Sequence, residues 1–331
     1  MKKVKKKSEL VNISHLTFTV IGLACHAICL IERAGILKIL KNHGDFRRSQ
    51  LKSYRNPHLV KAALATLVGA KVLLLKDGIY ALTDLGESLA RNMGTIMIPF
   101  IGYRKLLVKQ FELLQHPRAW KEFDIDYPAI ALASIEFGLS NLDPVLMDVF
   151  KSLKPKGTIC DLGCGTGEKL VKICKALGVN GLGIEKSSQV IKKSKKFTRS
   201  CSQVEIIKGD IFNLRGVWED IEIAMISQVY HDIHPLNRCV KFLNSLSDHF
   251  PRLRCLIVAD IVSLSESLPS IMPGFDYVHG LQGVTPRSYE ETIETFTKAG
   301  FNVFKEVAIP NMPNTFIWVI KQEIINKITS R

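Results

Sequence analysis

The sequence predicts an α/β domain with a largely parallel sheet, preceded by a smaller and mainly helical domain. From residue 145 onward, short apolar strand signals alternate with helical segments, which is the pattern of strands joined by crossover helices. The strand at 157–162 runs directly into a glycine-rich loop and a helix, the arrangement of a nucleotide-binding unit. Before residue 105, helical periods dominate. A chain of 331 residues, 47% of them hydrophobic, is long and apolar enough for both domains.

The first 105 residues predict a winged-helix arrangement in which three helices precede a small β-wing. LACHAICLIERAGILKILKNHG predicts a pair of amphipathic helices that ends at Gly44, and HLVKAALATLVGAKVLLL keeps a helical period. KVLLLKDGIYALTDLGESLA then predicts two strands joined by a turn at Asp77 and Gly78, followed by a helix start. The third helix offers alanine and leucine instead of base-reading side chains, so dimerisation is favoured over DNA binding.

Charge and cysteine content restrict the partners and the compartment. The formal net charge of +14 includes five lysines of the leader MKKVKKK, which we interpret as a solvated terminus in preference to a nucleic-acid or anionic-surface site. Residues 16–31 are apolar but short, and His26 interrupts them, so a buried helix at a subunit interface is predicted instead of a membrane span. Eight scattered cysteines without a C-x-x-C pair predict free thiols and a cytoplasmic location.

Residues 106–144 predict connecting helices that cover a substrate pocket, and residues 145–325 predict the catalytic domain. The final segments FNVFKEVAI and TFIWVIKQ, separated by PNMPN, predict an antiparallel hairpin at the edge of the sheet. The parallel strands of the domain are expected near 157–162, 181–185, 203–208, 221–226 and 254–260.

The glycine loop in TICDLGCGTGEK is the most informative motif of the chain. Its glycines allow a tight turn and a close approach of a ligand to the backbone and to the free N–H groups of the next helix. A dinucleotide fingerprint would need glycine at position 168, where Glu168 would repel a pyrophosphate. The zwitterionic amino-acid end of S-adenosylmethionine instead suits an acidic strand end followed by G-x-G-x-G, which here comprises Asp161, Gly163, Gly165 and Gly167.

Two further acidic residues stand where a bound nucleoside would need them. Glu185 ends the next strand, 24 residues after Asp161, where its carboxylate can accept both ribose hydroxyls. Asp210 ends the third strand, in QVEIIKGDIFN, where it can accept a hydrogen bond from the adenine amino group. The spacing therefore predicts a cofactor site along three strands.

These motifs resemble those of the class I S-adenosylmethionine-dependent methyltransferases, and in particular small-molecule O-methyltransferases with an N-terminal winged-helix dimerisation domain. The resemblance rests on DLGCGTG followed by Glu185 and Asp210, covers nearly the whole chain, and implies a Rossmann-like seven-stranded sheet with the last strand antiparallel. It also implies a small-molecule substrate, a homodimer and a role in secondary metabolism. By position, it assigns to the cofactor site Asp161, Gly163, Gly165, Gly167, Glu185, Asp210, Ile211 and Gln228.

After the fourth strand, YHDIHPLNRCVKFLNSL resembles the His-Asp segment of plant-type O-methyltransferases, in which the histidine is the general base. His231 and Asp232 stand in those positions. An imidazole with a pKa of about 6.5 can remove a phenol or enol proton as the methyl group arrives. Asp260, in the fifth strand LIVADIVSL, matches the acidic residue that supports this base.

The same segment, together with GFDYVHGLQGV, is similar to the α-keto-acid C-methyltransferases of the phenylpyruvate type. That resemblance implies a metal ion, iron or zinc, that is held by His231 and His279 and acts as a Lewis acid on a chelated keto acid. His234 is an alternative third ligand, although we interpret it as a surface histidine. The stretch FDIDYPAIALASIEFGLSN lacks the arginine with which that family holds the substrate carboxylate, which leaves the substrate open.

Three functions follow, in order of preference. The first is C-methylation of a 2-oxo acid at a metal held by two histidines. The second is metal-free O-methylation with His231 as the general base. The third, a winged-helix regulator that senses S-adenosylmethionine, is disfavoured by the alanine-rich third helix.

Overall fold

The computed structural model describes residues 15–199, 201–263, 274–310, 312 and 314–322, so the lysine-rich leader lies outside the described residues. The chain divides into two compact units between Ile96 and Met97. The helices predicted at 106–144 and the catalytic domain predicted from residue 145 both fall within the second of these units.

The first unit combines helices with a three-stranded antiparallel sheet, in which the central strand β3 (Ile79–Leu82) pairs with β1 (Phe46–Arg47) and with β2 (Leu73–Lys76). The turn between its last two strands has positive φ at Asp77 and Gly78, 51° and 77°, which is the hairpin geometry that this dipeptide predicts. The predicted helical region with a β-wing is therefore confirmed. Its elements are α1 (His15–Arg33), α2 (Ile36–His43), β1 (Phe46–Arg47), α3 (Pro57–Gly69), β2 (Leu73–Lys76), β3 (Ile79–Leu82) and α4 (Asp84–Arg91).

Residues 93–153 are mostly helical. A π-helical turn at Ile98–Gly102 and a 3₁₀ turn at Glu122–Asp124 interrupt the α-helices. The longest of them begins after Asp126, whose side chain accepts a hydrogen bond from the Ala129 N–H at 3.0 Å and so caps it. The helices are α5 (Met93–Met97), α6 (Arg104–Val108), α7 (Gln110–Gln115), α8 (Tyr127–Ser140) and α9 (Leu142–Leu153).

The second unit is built on a seven-stranded sheet. In spatial order its strands are β6 (Val204–Lys208), β5 (Gly181–Glu185), β4 (Thr158–Leu162), β7 (Ile221–Ser227), β8 (Cys255–Ile261), β10 (Thr315–Gln322) and β9 (Phe301–Ala308). Strand β10 runs antiparallel to both of its neighbours, whereas the pairs from β6 to β8 are parallel. The elements that follow α9 are β4 (Thr158–Leu162), α10 (Glu168–Leu177), β5 (Gly181–Glu185), α11 (Ser188–Thr198), β6 (Val204–Lys208), β7 (Ile221–Ser227), α12 (Leu236–His249), β8 (Cys255–Ile261), α13 (Phe275–Gly280), α14 (Tyr289–Lys298), β9 (Phe301–Ala308) and β10 (Thr315–Gln322).

This sheet confirms the predicted fold class, including the antiparallel last strand. The predicted terminal hairpin is present, with β10 inserted between β8 and β9, so β9 forms the edge of the sheet. Every residue of β4 and β8 is buried, and alternate residues of β4 belong to different apolar clusters, one on each face. The carboxyl ends of the parallel strands therefore lie along one edge, where open α/β sheets bind ligands.

The described residues bear on two expectations from the sequence, which concern membrane-spanning helices and free cysteines. Within them, no single helix is long and apolar enough to cross a membrane; α1 with α2 and α8 with α9 reach that length only as pairs, bent by 77° and 71°. All eight cysteines are free, and each except Cys25 is buried. Residues of α1 such as Ile28 and Ile31 are buried, which fits a packed helix.

Candidate active site

The glycine loop between β4 and α10 is held in a conformation that glycine favours. Gly163, Gly165 and Gly167 have φ values of 81°, 57° and 72°, all in the left-handed region. A Cβ added at Gly167 would lie 2.2 Å from the Ile206 side chain, whereas one added at Gly165 would meet nothing closer than 3.9 Å. The loop is therefore packed on one side at Gly167 and open at Gly165.

Polar groups gather below this loop. Asp161 is 3% exposed, and its pKa is raised to about 7 because burial disfavours the carboxylate more than the nearby Lys169 stabilises it. The Lys169 ammonium donates to the Ser227 hydroxyl at 2.7 Å and lies 3.4 Å from a carboxylate oxygen of Asp143. This set of one ammonium and two carboxylates, of which Asp161 is buried and the other two groups are partly buried, is suited to a zwitterionic ligand.

The other predicted cofactor residues follow strands along the same edge. Glu185, at the end of β5, accepts hydrogen bonds from the Ser187 N–H at 2.7 Å and the Gly165 N–H at 3.1 Å, and burial raises its pKa. Asp210, after β6, is exposed and accepts the Phe212 N–H at 3.0 Å. Two more of the predicted cofactor residues lie on this edge. Ile211 follows β6 and is buried, and Gln228 follows β7 with a backbone φ of 57°, in the left-handed region.

His231 lies in a 3₁₀ turn, Tyr230–Asp232, directly after β7. Its Nδ1 is 2.5 Å from Asp260 Oδ1, and its backbone N–H donates to Asp260 Oδ2 at 3.0 Å. Asp260 is 1% exposed and also accepts the Ile261 N–H at 2.7 Å. Because a carboxylate accepts hydrogen bonds, this contact places a proton on Nδ1 and directs Nε2 away from Asp260.

His279 reaches the same place from α13. It is 3% exposed, and its Nδ1 lies 2.7 Å from the carbonyl oxygen of Phe275, which can only accept. The neutral ring therefore carries its proton on Nδ1. Its Nε2 is buried and has no hydrogen-bond partner among the described residues. The ring centroids of His231 and His279 are 5.0 Å apart.

Asp232 completes a cluster of three possible ligands. Its Oδ1 is 3.6 Å from His279 Nε2 and 3.8 Å from His231 Nε2, and one ligand atom from each of the three residues lies within 4.8 Å of the others. Two imidazoles and one carboxylate form a donor set typical of Fe(II) sites with open positions. His234 instead places its Nε2 2.8 Å from the His231 carbonyl oxygen.

The charges in this cluster are unequal. Burial would lower the pKa of His231, but the carboxylates of Asp260 and Asp232 outweigh burial and raise it to about 9. The pKa of His279 is lowered by burial and by its neighbour His231. At neutral pH one ring is therefore protonated and the other neutral, and a metal ion could take the place of the proton on His231.

Sequence reasoning missed three residues around the cluster. The ring of Tyr103 packs 6.3 Å from that of His279, and the Trp120 indole donates to the Gln282 carbonyl oxygen at 3.1 Å. Arg287 donates hydrogen bonds to two backbone carbonyl oxygens of the turn that carries His231, and it lines a cavity together with residues of β8. None of the three belongs to a contiguous motif, so only the folded chain identifies them. Residues of the helical segment that precedes α8 pack with residues in and just after α13 in one buried apolar cluster. Its members are Tyr103, Leu106, Leu113, Ile125, Val278 and Leu281.

Comparisons with known proteins agree with this arrangement. The family described as "Methyltransferase domain" matches residues 153–307. An indolepyruvate C-methyltransferase from Streptomyces griseus is 31% identical over 311 residues, which cover 91% of this chain and 92% of that protein. The structures of LaPhzM and of the mitomycin 7-O-methyltransferase MmcR, each 17% identical, align with TM-scores of 0.69 and 0.68. They cover 93% and 92% of this chain, and 98% and 96% of their own, and share its fold.

The fold, the glycine loop and these relatives define the class as S-adenosylmethionine-dependent methyltransferases, so the predicted class and cofactor are confirmed. The chain belongs to the methyltransferase family of the Streptomyces griseus enzyme.

Proposed function

We propose that the protein transfers a methyl group from S-adenosylmethionine to the carbon beside the keto group of a 2-oxo acid, at a metal held by His231, Asp232 and His279. One observation carries the proposal. The Nε2 atom of His279 is buried and unpaired among the described residues, and it lies 3.6 Å from Asp232 in a cluster shared with His231. A buried acceptor without a partner is costly, and a bound cation would satisfy it.

The residues fit a metal in two further respects. Both histidines direct Nδ1 to an acceptor, Asp260 or the Phe275 carbonyl oxygen, and a hydrogen bond of this kind orients imidazoles that bind a metal through their other nitrogen. Three protein donors leave coordination positions for a chelating substrate. Iron or zinc bound there would supply Lewis acidity, which lowers the pKa of the C–H bond beside the keto group.

Aromatic side chains surround the cluster and support an aromatic 2-oxo acid as substrate. The ring of Phe275 lies 5.2 Å from that of His231 and 4.1 Å from that of His279. Tyr103, which precedes α6, packs its ring against that of His279. The relative from Streptomyces griseus acts on indolepyruvate, a member of this class. Apolar rings exclude water and orient a planar substrate.

The cofactor is proposed to bind along the adjoining strand ends. Asp161 and the glycine loop would hold the methionine end, and Glu185 the ribose hydroxyls. Asp210 and Ile211 would contact the adenine, and Gln228 follows β7 in the chain, just before the His231 turn. Binding there would place the methyl group over the edge of the sheet, towards the histidine cluster, for in-line displacement.

Metal-free O-methylation is the second candidate, with His231 as base and Asp260 in support. The 2.5 Å contact between His231 Nδ1 and Asp260 favours it, because such a carboxylate orients an imidazole and stabilises its protonated form. A pKa of about 9 leaves that imidazole mostly protonated at neutral pH, which is unfavourable for a base.

Labelled methyl transfer distinguishes the two candidates. Protein supplied with S-adenosylmethionine carrying a carbon-13 methyl group is offered indolepyruvate, phenylpyruvate and a set of phenols, and carbon-13 spectra show whether the label is on carbon or oxygen. C-methylation that is lost in His279→Gln but kept in His249→Gln would support the first candidate. The control is matched, since His249 Nδ1 also lies against a carbonyl oxygen, that of Gly216, at 2.8 Å. O-methylation unaffected by His279→Gln would support the second.

We also propose a cytoplasmic homodimer in which residues 1–105 dimerise and 106–144 cover the substrate. Free cysteines support a reducing compartment. Ile21 and Leu23 of α1 are 44% and 58% exposed, which leaves apolar side chains for a second copy on the helix that the sequence predicts to lie at a subunit interface. Light scattering after gel filtration should give a dimer that Leu23→Glu weakens and that Phe304→Glu, at an exposed apolar residue of β9, leaves intact. A monomeric wild type would contradict the proposal.

A further inference from the structure

We propose that Arg287 is a positioning residue that fixes the turn carrying His231 and Asp232. Its guanidinium donates to the carbonyl oxygen of Ile233 at 2.7 Å and to that of Tyr230 at 2.5 Å. These two carbonyls bracket the His-Asp pair. The effect on metal binding rests on the proposed function, whereas the effect on the turn does not.

The geometry of the contact suits arginine in particular. Two nitrogens of one planar guanidinium reach two backbone acceptors at once, and the same group lies 4.6 Å from the centroid of the Tyr230 ring. A lysine ammonium could not reproduce this rigid fork together with the contact to the ring. The arginine therefore sets the direction of both carbonyls and, with them, the backbone between Tyr230 and Ile233.

The burial of Arg287 is not explained by an ion pair. The side chain belongs to a residue that is only 6% exposed, and among the described residues no carboxylate lies within ion-pair distance of it. The Nε atom of Arg287 is also buried, and it has no hydrogen-bond partner among the residues that the structure describes. Burying a cation in this way is costly compared with an apolar residue of similar size. A positioning role accounts for a charge that packing alone would disfavour.

The turn that Arg287 holds determines where His231 points. The backbone N–H of His231 and its Nδ1 both meet the carboxylate of Asp260, so the ring direction depends on the backbone of the turn. Arg287 and Asp260 line the same cavity beside His231. One group thus fixes the carbonyls of the turn while the other fixes its N–H and its imidazole.

Proton NMR tests this role without requiring a metal. The hydrogen-bonded Nδ1 proton of His231 should give a resonance far downfield of the amides, assigned by its absence in His231→Gln. We expect the resonance to be lost or shifted in Arg287→Ala and to return when a few millimolar guanidinium chloride fills the vacated space. Arg254→Ala is the control, since Arg254 also donates to a backbone carbonyl oxygen, that of Leu153, at 2.6 Å. Arg254 immediately precedes β8, whereas Asp260 lies near the other end of that strand.

Titration with Zn²⁺ and with S-adenosylmethionine separates positioning from general damage. Arg287→Ala should bind Zn²⁺ at least about tenfold more weakly than wild type, because the residues that orient metal ligands contribute to affinity on that scale. Its affinity for S-adenosylmethionine should change less than about twofold. If Arg287→Ala does not fold, Arg287→Lys serves instead, with a shifted resonance and weaker metal binding expected.

The proposal is overturned if the resonance keeps its wild-type position in the folded Arg287 variant. It is also overturned if guanidinium has no effect and affinity for S-adenosylmethionine falls in parallel with that for Zn²⁺. A wild type that binds no Zn²⁺ would contradict the metal site of the proposed function, and the resonance would still decide the role of Arg287.

Discussion

The glycine loop and the histidine cluster lie on the same sheet edge but are encoded in different ways. The loop takes its shape from neighbours in sequence, since three left-handed glycines within five residues determine the path from β4 to α10. The cluster joins a turn after β7 to a helix 48 residues further along, and each of its side chains is ordinary on its own. The contiguous motif therefore identifies the protein as a methyltransferase, whereas the choice of the atom that receives the methyl group is the role that we propose for the assembled cluster.

The two regions also differ in charge. Burial raises the pKa of Asp161 to about 7, so the loop offers a carboxyl group whose charge responds to an ammonium brought by the ligand. In the cluster, carboxylates raise the pKa of His231 to about 9 against the effect of burial, so this site attracts positive charge strongly. The loop is suited to a zwitterion and the cluster to a cation.

The largest expected effect separates the two regions by activity. His231→Ala should lower turnover by about a thousandfold or more, because either proposed mechanism requires this imidazole. Its affinity for S-adenosylmethionine, measured by calorimetry, should stay within about twofold of wild type, since the loop is untouched. Near-normal turnover would rule out both active-site mechanisms, and His249→Ala serves as the control.

Metal affinity should depend steeply on pH. His231 must lose its proton to bind a metal, and its pKa of about 9 lies above neutrality, so raising the pH removes the competing proton. Between neutrality and that pKa, the affinity for Co²⁺ should rise by about tenfold per pH unit and then level off. Competition with a chelating indicator measures this slope. An affinity that stays flat across the range would show that His231 is not a ligand.

A smaller effect is expected at the cofactor side. Glu185→Ala should weaken S-adenosylmethionine binding by about thirtyfold, because the ribose hydroxyls lose a half-buried carboxylate that now also holds the Gly165 N–H. Calorimetry gives the affinity, and circular dichroism checks the fold. Zn²⁺ binding should not change, and an unaltered affinity for S-adenosylmethionine would remove Glu185 from the cofactor site.

The smallest effects distinguish two glycines of the loop. Gly167→Ala should destabilise the protein by about 2 kcal/mol, since alanine is strained at positive φ and its Cβ would collide with Ile206. Gly165→Ala should lower the free energy of unfolding by about 1 kcal/mol, from backbone strain alone. It should weaken S-adenosylmethionine binding more than Gly167→Ala does, because its Cβ enters the open side of the loop. Denaturant unfolding and calorimetry measure the two quantities. The reverse ranking in stability would contradict the loop packing.

Much of the fold could be predicted because its signals are local. The Asp77–Gly78 turn, the strand that ends before the glycine loop and the terminal hairpin follow from turn chemistry and periodicity, whereas the antiparallel last strand of the seven-stranded sheet is what the family resemblance implies. The place of β10 between β8 and β9 could not be derived, since strand order depends on tertiary pairing.

The candidate site was predictable in its parts more than in its assembly. His231, His279 and Asp260 were predicted from resemblance, and the structure brings all three together. The proximity of Asp232 to both Nε2 atoms and the buried contacts of Arg287 depend on the path of the turn, which no spacing encodes. The roles of all these residues stay predictions until they are measured.

The central claim, a metal held by the histidine cluster, is tested most directly by the metal content of purified protein without an affinity tag. Wild type, His279→Gln and His249→Gln are analysed by elemental mass spectrometry after anaerobic reconstitution with iron or zinc. We expect about one metal ion per chain in wild type and His249→Gln, and its loss in His279→Gln. No stoichiometric metal in wild type, or equal metal in all three proteins, would contradict the claim.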